Sequence, residues 1–480
     1  MKPKIHIEPV SCIESHPAMK PHPKLFCTRP GLSRLSILAS IAIIALIALW
    51  ATTYAWVGRS ANQLIYEQNK PQIAADRLES FSPWMFSPSK WQWLRAEAYR
   101  KLGDRSRVQR ISDELAAKGL PNLQANSPLL LMEAAAGIPS RVKDNLGPLL
   151  ILYKNHEPEV LSSLVQGFIN QGDLSGASQT LRLWSELFDN DPKAEYWKGV
   201  HATTSYDLDT ALQAFKRSIS LAPEEIQPHQ ELAEVYLEKA MFEEARSEFE
   251  WLATRRPEAP DVITGLARSL LNLGYPDLAS EQLQKLPDVS KLPSPELALV
   301  CETNLEADKA EVASQQATIL LQRWPNALPY LQLQARCFAK LGKTTESESL
   351  FAKAAESQNR RPQVDRMIEQ LATDSGNQEI RRDMGELMMN FLDPPGGVGY
   401  LQIASRANPF DLKTQDMLAT YYQREGNESL ADNHRKAIRR IQQAMLDAAE
   451  LQEAQLQESQ IQSGQLPTSN SPASTPAAGN

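Results

Sequence analysis

Residues Glu224–Pro257 read EEIQPHQELAEVYLEKAMFEEARSEFEWLATRRP. Leu232, Ala233 and Tyr236 fall on one face of a first helical stretch, and Ala245 and Phe249 on one face of a second. The same layout returns every thirty-four residues. A small residue recurs at Ala177, Ala211, Ala245, Ala279, Ala313 and Ser347. Four positions beyond each stands Leu181, Phe215, Phe249, Leu283, Ala317 or Phe351, and twelve before each stands Val165, Gly199, Ala233, Ala267, Cys301 or Ala335. Pro223, Pro257 and Pro325 close three of the units. A fixed period of this length marks a solenoid of helix–turn–helix units. The fold expected is therefore all-α, an α-solenoid of antiparallel helix pairs.

Packing explains the pattern. Two antiparallel helices approach closely only where side chains are small, and a larger residue one turn further on fills the space between hairpins. Gly172, Gly274 and Gly342 mark the end of the first helix in three units.

Outward from this block, which spans 158–356, the register weakens on both sides. Residues 58–157 read as degenerate repeats. Helix is expected to continue over 59–80, and the aromatic stretch holding Trp84, Phe86, Trp91 and Trp93 reads as core of a first repeat, with a lipid-surface contact as the alternative. A hairpin over 94–120 turns at Gly103, and a second pair over 123–157 turns near Gly137 and Pro139. On the C-terminal side, 357–376 is a polar, irregular insertion. Register resumes over 377–458, since Ala431 lies thirty-four residues after Gly397, and Ser429–Asp432 resembles a capping box opening a polar last helix. Residues 459–480 read as a disordered tail.

Leu35–Val57 contains no charge, which suits one transmembrane helix, and Trp50, Tyr54 and Trp56 gather at its far end. The run is longer than a signal-peptide core and lacks an A-x-A site, so an uncleaved signal anchor is favoured over a cleaved leader. The segment 1–34 is a basic, flexible tail, with Lys20, Lys24, Arg29 and Arg34 before the span against Arg59 and Lys70 after it. That bias places the N-terminus in the cytoplasm. Cys12, His16, His22 and Cys27 are zinc-type ligands, but scattered residues of a tail account for them and no metal is assigned.

The repeat units resemble the tetratricopeptide repeat. The resemblance rests on Leu232, Ala233, Tyr236, Ala245, Phe249 and Pro257, on Gly199, Ala211, Phe215 and Pro223 in the unit before, and on Leu266, Ala267, Gly274 and Ala279 in the unit after. Leu418, Ala419, Tyr422, Gly426 and Ala431 carry it at the end of the chain. The pattern's leading Trp is replaced by His229, Ile263 and Leu297. The resemblance implies first helices that line a concave groove for peptides or protein surfaces, and no catalysis. The Lys and Asn set with which one subgroup clamps a C-terminal carboxylate is missing. Its positions hold Ser162, Tyr196, Gln230, Thr264, Ala298 and Gln332, with Gln166, Val200, Glu234, Arg268, Glu302 and Arg336 one turn later. Glu234, Arg268, Glu302 and Arg336 alternate in sign along consecutive units, and with Gln230 they are the candidate partner residues. They form either a self-neutralised scaffold surface or a polar recognition strip.

No H-E-x-x-H, C-x-x-C, G-x-S-x-G or GxxxxGK[ST] pattern occurs, so no catalytic, cofactor or metal residue is assigned. Gly396-Gly397-Val398-Gly399 lacks a preceding strand and a following Lys, which makes it a turn. Cys301 fills a slot held by Gly or Ala elsewhere; a disulfide to Cys337 in the next first helix is the alternative to simple packing. The net charge of -8 and the absence of a basic block argue against nucleic acid as partner. No small-molecule substrate is expected. The function expected is a single-pass membrane scaffold for protein–protein interactions, its repeats on the extracytoplasmic face of a bacterial inner membrane. The alternatives are a cytosol-facing organelle receptor for targeting peptides and an accessory subunit of an envelope or polysaccharide assembly complex.

Overall fold

The computed structural model describes residues 34–81, 89–374 and 376–462, and every regular element among them is helical. They fall into two compact units, one ending at Arg95 and one beginning at Ala96. Cys12, His16, His22, Cys27, Trp84, Phe86 and most of the two expected tails lie outside the described residues.

In the first unit, α1 (Arg34–Tyr66) is long and apolar enough to cross a membrane. Its first half exposes Ile41, Ile44, Leu46 and Leu49, whereas Val57, Ala61 and Ile65 are fully buried. α2 (Pro71–Phe81) packs against α1 and buries Ala74, Ala75 and Leu78. The continuous helix expected over 59–80 is thus broken. Asn69 takes a left-handed φ of 49°, and Pro71, which has no N–H to give to a preceding turn, starts the new helix. Tyr54 stacks on Trp91 at 4.9 Å, so one aromatic of the apolar run has a protein partner.

The second unit starts within α3 (Ser89–Lys101), which forms with α4 (Arg105–Ala117) the hairpin turning at Gly103. α5 (Asn122–Ala135) is followed by two short helices, α6 (Ser140–Asp144) and α7 (Leu146–Leu152), where one was expected. Pro148 offers no N–H to the Asp144 carbonyl, so the ladder fails there.

Six hairpins then follow in register. They are α8 (Glu157–Gln171) with α9 (Leu174–Leu187), α10 (Pro192–Thr204) with α11 (Leu208–Leu221), and α12 (Ile226–Glu238) with α13 (Phe242–Arg255). After them come α14 (Pro260–Asn272) with α15 (Pro276–Leu283), α16 (Ser294–Glu306) with α17 (Ala310–Arg323), and α18 (Leu328–Lys340) with α19 (Thr344–Gln358). These stacked pairs make the chain a tetratricopeptide-like α-solenoid. The recurrent alanines 177, 211, 245, 279 and 313 are all 0% exposed, as the crossing argument requires. Gly199 shows the fit most clearly, because a Cβ there would lie 2.4 Å from the Phe215 ring. His229, standing in the Trp slot, stacks its ring on Trp251 at 3.6 Å and shares a 2.6 Å hydrogen bond with Glu248.

The backbone carries the register as well. Residues 172, 206, 240, 274, 308 and 342 all have positive φ, and each ends a first helix. Three are glycines; Tyr206, Ala240 and Asp308 adopt the same left-handed turn despite a Cβ, at a cost of about 1 kcal/mol each.

A buried ion cluster ties the early hairpins together. Glu159 on α8 meets Arg100 at 3.0 Å, Lys101 at 3.0 Å and Lys193 at 2.9 Å. Arg100 also bridges Glu97 at 2.9 Å, and the Tyr153 hydroxyl donates to Glu97 at 2.6 Å. Burial alone raises a carboxyl's pKa, but the three cations outweigh it and hold Glu159 far below the ordinary carboxylate range.

After α19 the solenoid changes direction. Phe351, which the register assigns to the gap before a next hairpin, is 44% exposed. The stretch expected to be irregular is mostly helix, α20 (Arg361–Thr373), with Pro362 in its first turn and Val364 its one buried residue. α21 (Gln378–Leu387) runs through a π turn, Met388–Leu392, into α22 (Pro394–Ala407). The Pro-Pro-Gly-Gly segment therefore opens a helix, where missing N–H groups cost nothing, with Asp393 alone at the turn. A Cβ on Gly397 would lie 2.2 Å from the Met389 nitrogen, so α22 is pressed onto the preceding backbone. α23 (Leu412–Arg424) and α24 (Glu428–Gln462) are the last of the described helices. The cap of α24 is Asn427, whose side chain accepts from the Leu430 N–H at 3.2 Å, and not Ser429.

These last hairpins fold back along the repeats already formed. Arg406 on α22 donates to Asn170 on α8 at 3.2 Å, and Tyr421 on α23 lies 5.5 Å from Trp324 at the end of α17. Leu401, Leu418 and Tyr421 belong to the same core as Leu266, Leu297 and Leu333.

Candidate partner groove

The first helices α14, α16 and α18 lie side by side and line an open cavity of about 690 Å³. Arg268 and Asn272 come from α14, Glu302 and Glu306 from α16, and Gln332 and Arg336 from α18. The thirty-four-residue repeat puts equivalent side chains on neighbouring helices, so three of the five candidate residues line one cavity. Gln230 and Glu234 sit outside its lining, on α12.

The alternating charges meet in two pairs. Arg336 bridges Glu302 at 3.2 Å and Glu306 at 2.5 Å, while Arg268 stands 3.9 Å from Glu234. Among the described residues no bridge joins Arg268 to Glu302. Side-chain exposures of 42–45% leave these pairs open to water, where each is worth less than about 1 kcal/mol. Gln230 accepts a hydrogen bond from Arg256 at 3.0 Å and is held beside Asp261 through the same guanidinium.

The local field is uneven. Burial, then the nearby Glu238 and Asp261, raises the Glu234 pKa, with Arg268 opposing them. Burial and Glu234 likewise raise that of Glu231. On the other side of the cavity Tyr330 is 3% exposed, and burial together with Glu425, Tyr421 and Asp393 pushes its phenol well above the ordinary range. Tyr330, a lining residue in the same buried core as Tyr421, carried no periodic signal.

Cys301 and Cys337 are both buried free thiols, with no disulfide between them. The Cys301 thiol donates to the Ala313 carbonyl at 3.0 Å, and the neighbouring Cys337 thiol, then burial, holds its pKa well above the usual thiol range. Among the described residues no group of His, Cys, Asp and Glu is arranged to hold a metal.

No family model matches the chain, and no curated protein matches it. Solved structures similar to it include MamA, residues 41 to the end, from Desulfovibrio magneticus RS-1, at 18% identity over 34% of this chain and 93% of that one, TM-score 0.32. A tetratricopeptide repeat protein from Parabacteroides merdae is 14% identical over 59% of this chain and 98% of that one, TM-score 0.36. The human IFIT1 dimer with PPP-AAAA is 13% identical over 80% of this chain and 99% of that one, TM-score 0.34.

Proposed function

We propose that this protein is a non-catalytic scaffold, held in the bacterial inner membrane by α1, that recruits other proteins or peptides at the cell envelope. The observation that carries the recruiting role is the cavity between α14, α16 and α18, rimmed by paired but water-accessible charges. Exposed ion pairs of this kind add little stability, which leaves their charges available to read a partner. The anchoring role is supported by the first half of α1, where Ile41, Ile44, Leu46 and Leu49 are more than half exposed and find no cover among the described residues. The basic residues before the span favour repeats on the extracytoplasmic face.

The test uses the full chain in native membranes washed with alkaline carbonate, which keep only integral proteins. We expect the chain to stay in the pellet and to co-purify with a partner after mild solubilisation. Reversing both cations, Arg268→Glu with Arg336→Glu, should weaken that capture by about tenfold or more. The exposed positions should change stability by only about 0.5 kcal/mol. Capture unchanged by the double reversal contradicts the recognition role, and release by carbonate contradicts the anchor.

A further inference from the structure

The exposed face of α1 ends in a groove of two chemistries, an open space of about 550 Å³. Ala51, Ala55, Arg59 and Gln63 form one row of its lining at four-residue steps, and Thr52, Trp56 and Ser60 form the next. Residues four apart are neighbours on a helix surface, so the groove runs along the axis from an apolar end to a polar one. At a rise of about 1.5 Å per residue, Arg59 lies roughly 12 Å along the axis from Ala51. The Thr52 hydroxyl donates to the Leu49 carbonyl at 2.9 Å, so it adds no free donor to the apolar end. Trp56 is 58% exposed. Arg77 on α2 lies 5.5 Å over the Trp56 ring and donates to the Ser60 hydroxyl, which brings a second guanidinium to the polar end.

The groove lies at the limit of the uncovered part of α1. Before it, Ile43, Ile44, Ile47 and Leu49 are all more than half exposed. Alongside its polar end, Val57, Ala61 and Ile65 are fully buried where α2 packs on α1. A phospholipid has the same two-part order, acyl chains followed by a phosphate diester with one negative charge. Guanidinium groups pair with phosphate through charge-assisted N–H bonds. Among the described residues no carboxylate lines the groove, so a headgroup that carries an ammonium finds no partner for it there.

We propose that this groove binds one anionic phospholipid of the membrane, its phosphate on Arg59 and Arg77 and one acyl chain along Trp56, Ala55 and Ala51. The site rests on the anchor reading given above, which sets α1 in the bilayer. It adds to that reading a stoichiometry and a headgroup preference, neither of which an apolar span supplies. Arg59 holds the charge on the exposed side, and Arg77, tied to Ser60 and Trp56, closes the other side of the polar end.

Native mass spectrometry of the full chain, released from nanodiscs of phosphatidylglycerol and phosphatidylcholine in equal parts, tests this. One phosphatidylglycerol is expected to stay bound per chain, with phosphatidylcholine retained at about a tenth of that level or less. Arg59→Gln, a change at an exposed position that leaves the helix pair intact, should lower the retention about threefold or more. Arg59→Gln with Arg77→Gln should lower it about tenfold. No retained lipid, equal retention of the two lipids, or retention unchanged in Arg59→Gln overturns the site. In each of those cases a chain that still enters the nanodiscs leaves the anchor standing. A chain that does not enter them overturns the anchor reading, and the site with it.

Discussion

Replacing Glu159 by Gln is expected to lower the stability of the repeat unit by about 3–5 kcal/mol, the usual cost of removing one partner from a buried ion cluster. Glu159 is 8% exposed and shared by Arg100, Lys101 and Lys193, whose charges then lack that carboxylate in a site where water screens little. The cluster joins α3, α8 and α10, so the loss should appear as early unfolding of those hairpins in a thermal or urea melt. pH provides a second reading. A carboxyl whose folded pKa lies below its unfolded value stabilises fully above the unfolded pKa, about 4.3 for Glu, and loses that stabilisation as pH falls toward the folded value. Acidification from about pH 5 to pH 3 should therefore lower the melting temperature of the natural protein more than that of Glu159→Gln. Equal acid sensitivity of the two, or a Glu159→Gln loss under about 1 kcal/mol, contradicts this role for the cluster.

The interlock of Gly199 with Phe215 should show an effect of similar size. Phe215 is fully buried, and its ring occupies the space a Cβ on Gly199 would take. Phe215→Ala is expected to cost about 3–5 kcal/mol, and Gly199→Ala, which overpacks the same space, about 1–3 kcal/mol. The pair Gly199→Ala with Phe215→Leu should be more stable than the sum of its single changes by about 1 kcal/mol or more, because the smaller side chain leaves room for the added methyl. Strict additivity in urea melts means that the two residues do not share a packing site.

Much of this architecture was legible because it is repeated. One small residue at Ala177 proves nothing, but its return at equal steps to Ala313 requires a structure with the same step. The left-handed turns were legible only at Gly172, Gly274 and Gly342; at Tyr206, Ala240 and Asp308 neighbouring hairpins impose a backbone that those side chains do not advertise. The ion cluster around Glu159 was hidden because its members are spread over residues 97–193 and obey no period. The return of the C-terminal hairpins was hidden for a similar reason. Gly397 and Ala431 keep the local spacing of a hairpin, and local spacing is silent about which earlier repeats the hairpin touches.

The candidate groove divides along the same line. Its alternating charges came from the register, and equivalent positions did bring Arg336 to Glu302. The register did not specify Glu306 as the second acceptor, nor Tyr330 as a lining residue that shares a buried core with Tyr421. Both depend on contacts across the stack, which each unit's own sequence leaves undetermined.

The recruitment proposed above places protein partners on the first-helix face, with α1 in the membrane. Site-specific photo-crosslinking in native membranes tests it most directly, with the crosslinking amino acid placed at Gln332, which lines the cavity, or at Val312, exposed on α17. A discrete heavier adduct that stays in the carbonate-washed membrane is expected from Gln332, and none from Val312. No adduct from Gln332, or the same adducts from both positions, would contradict it.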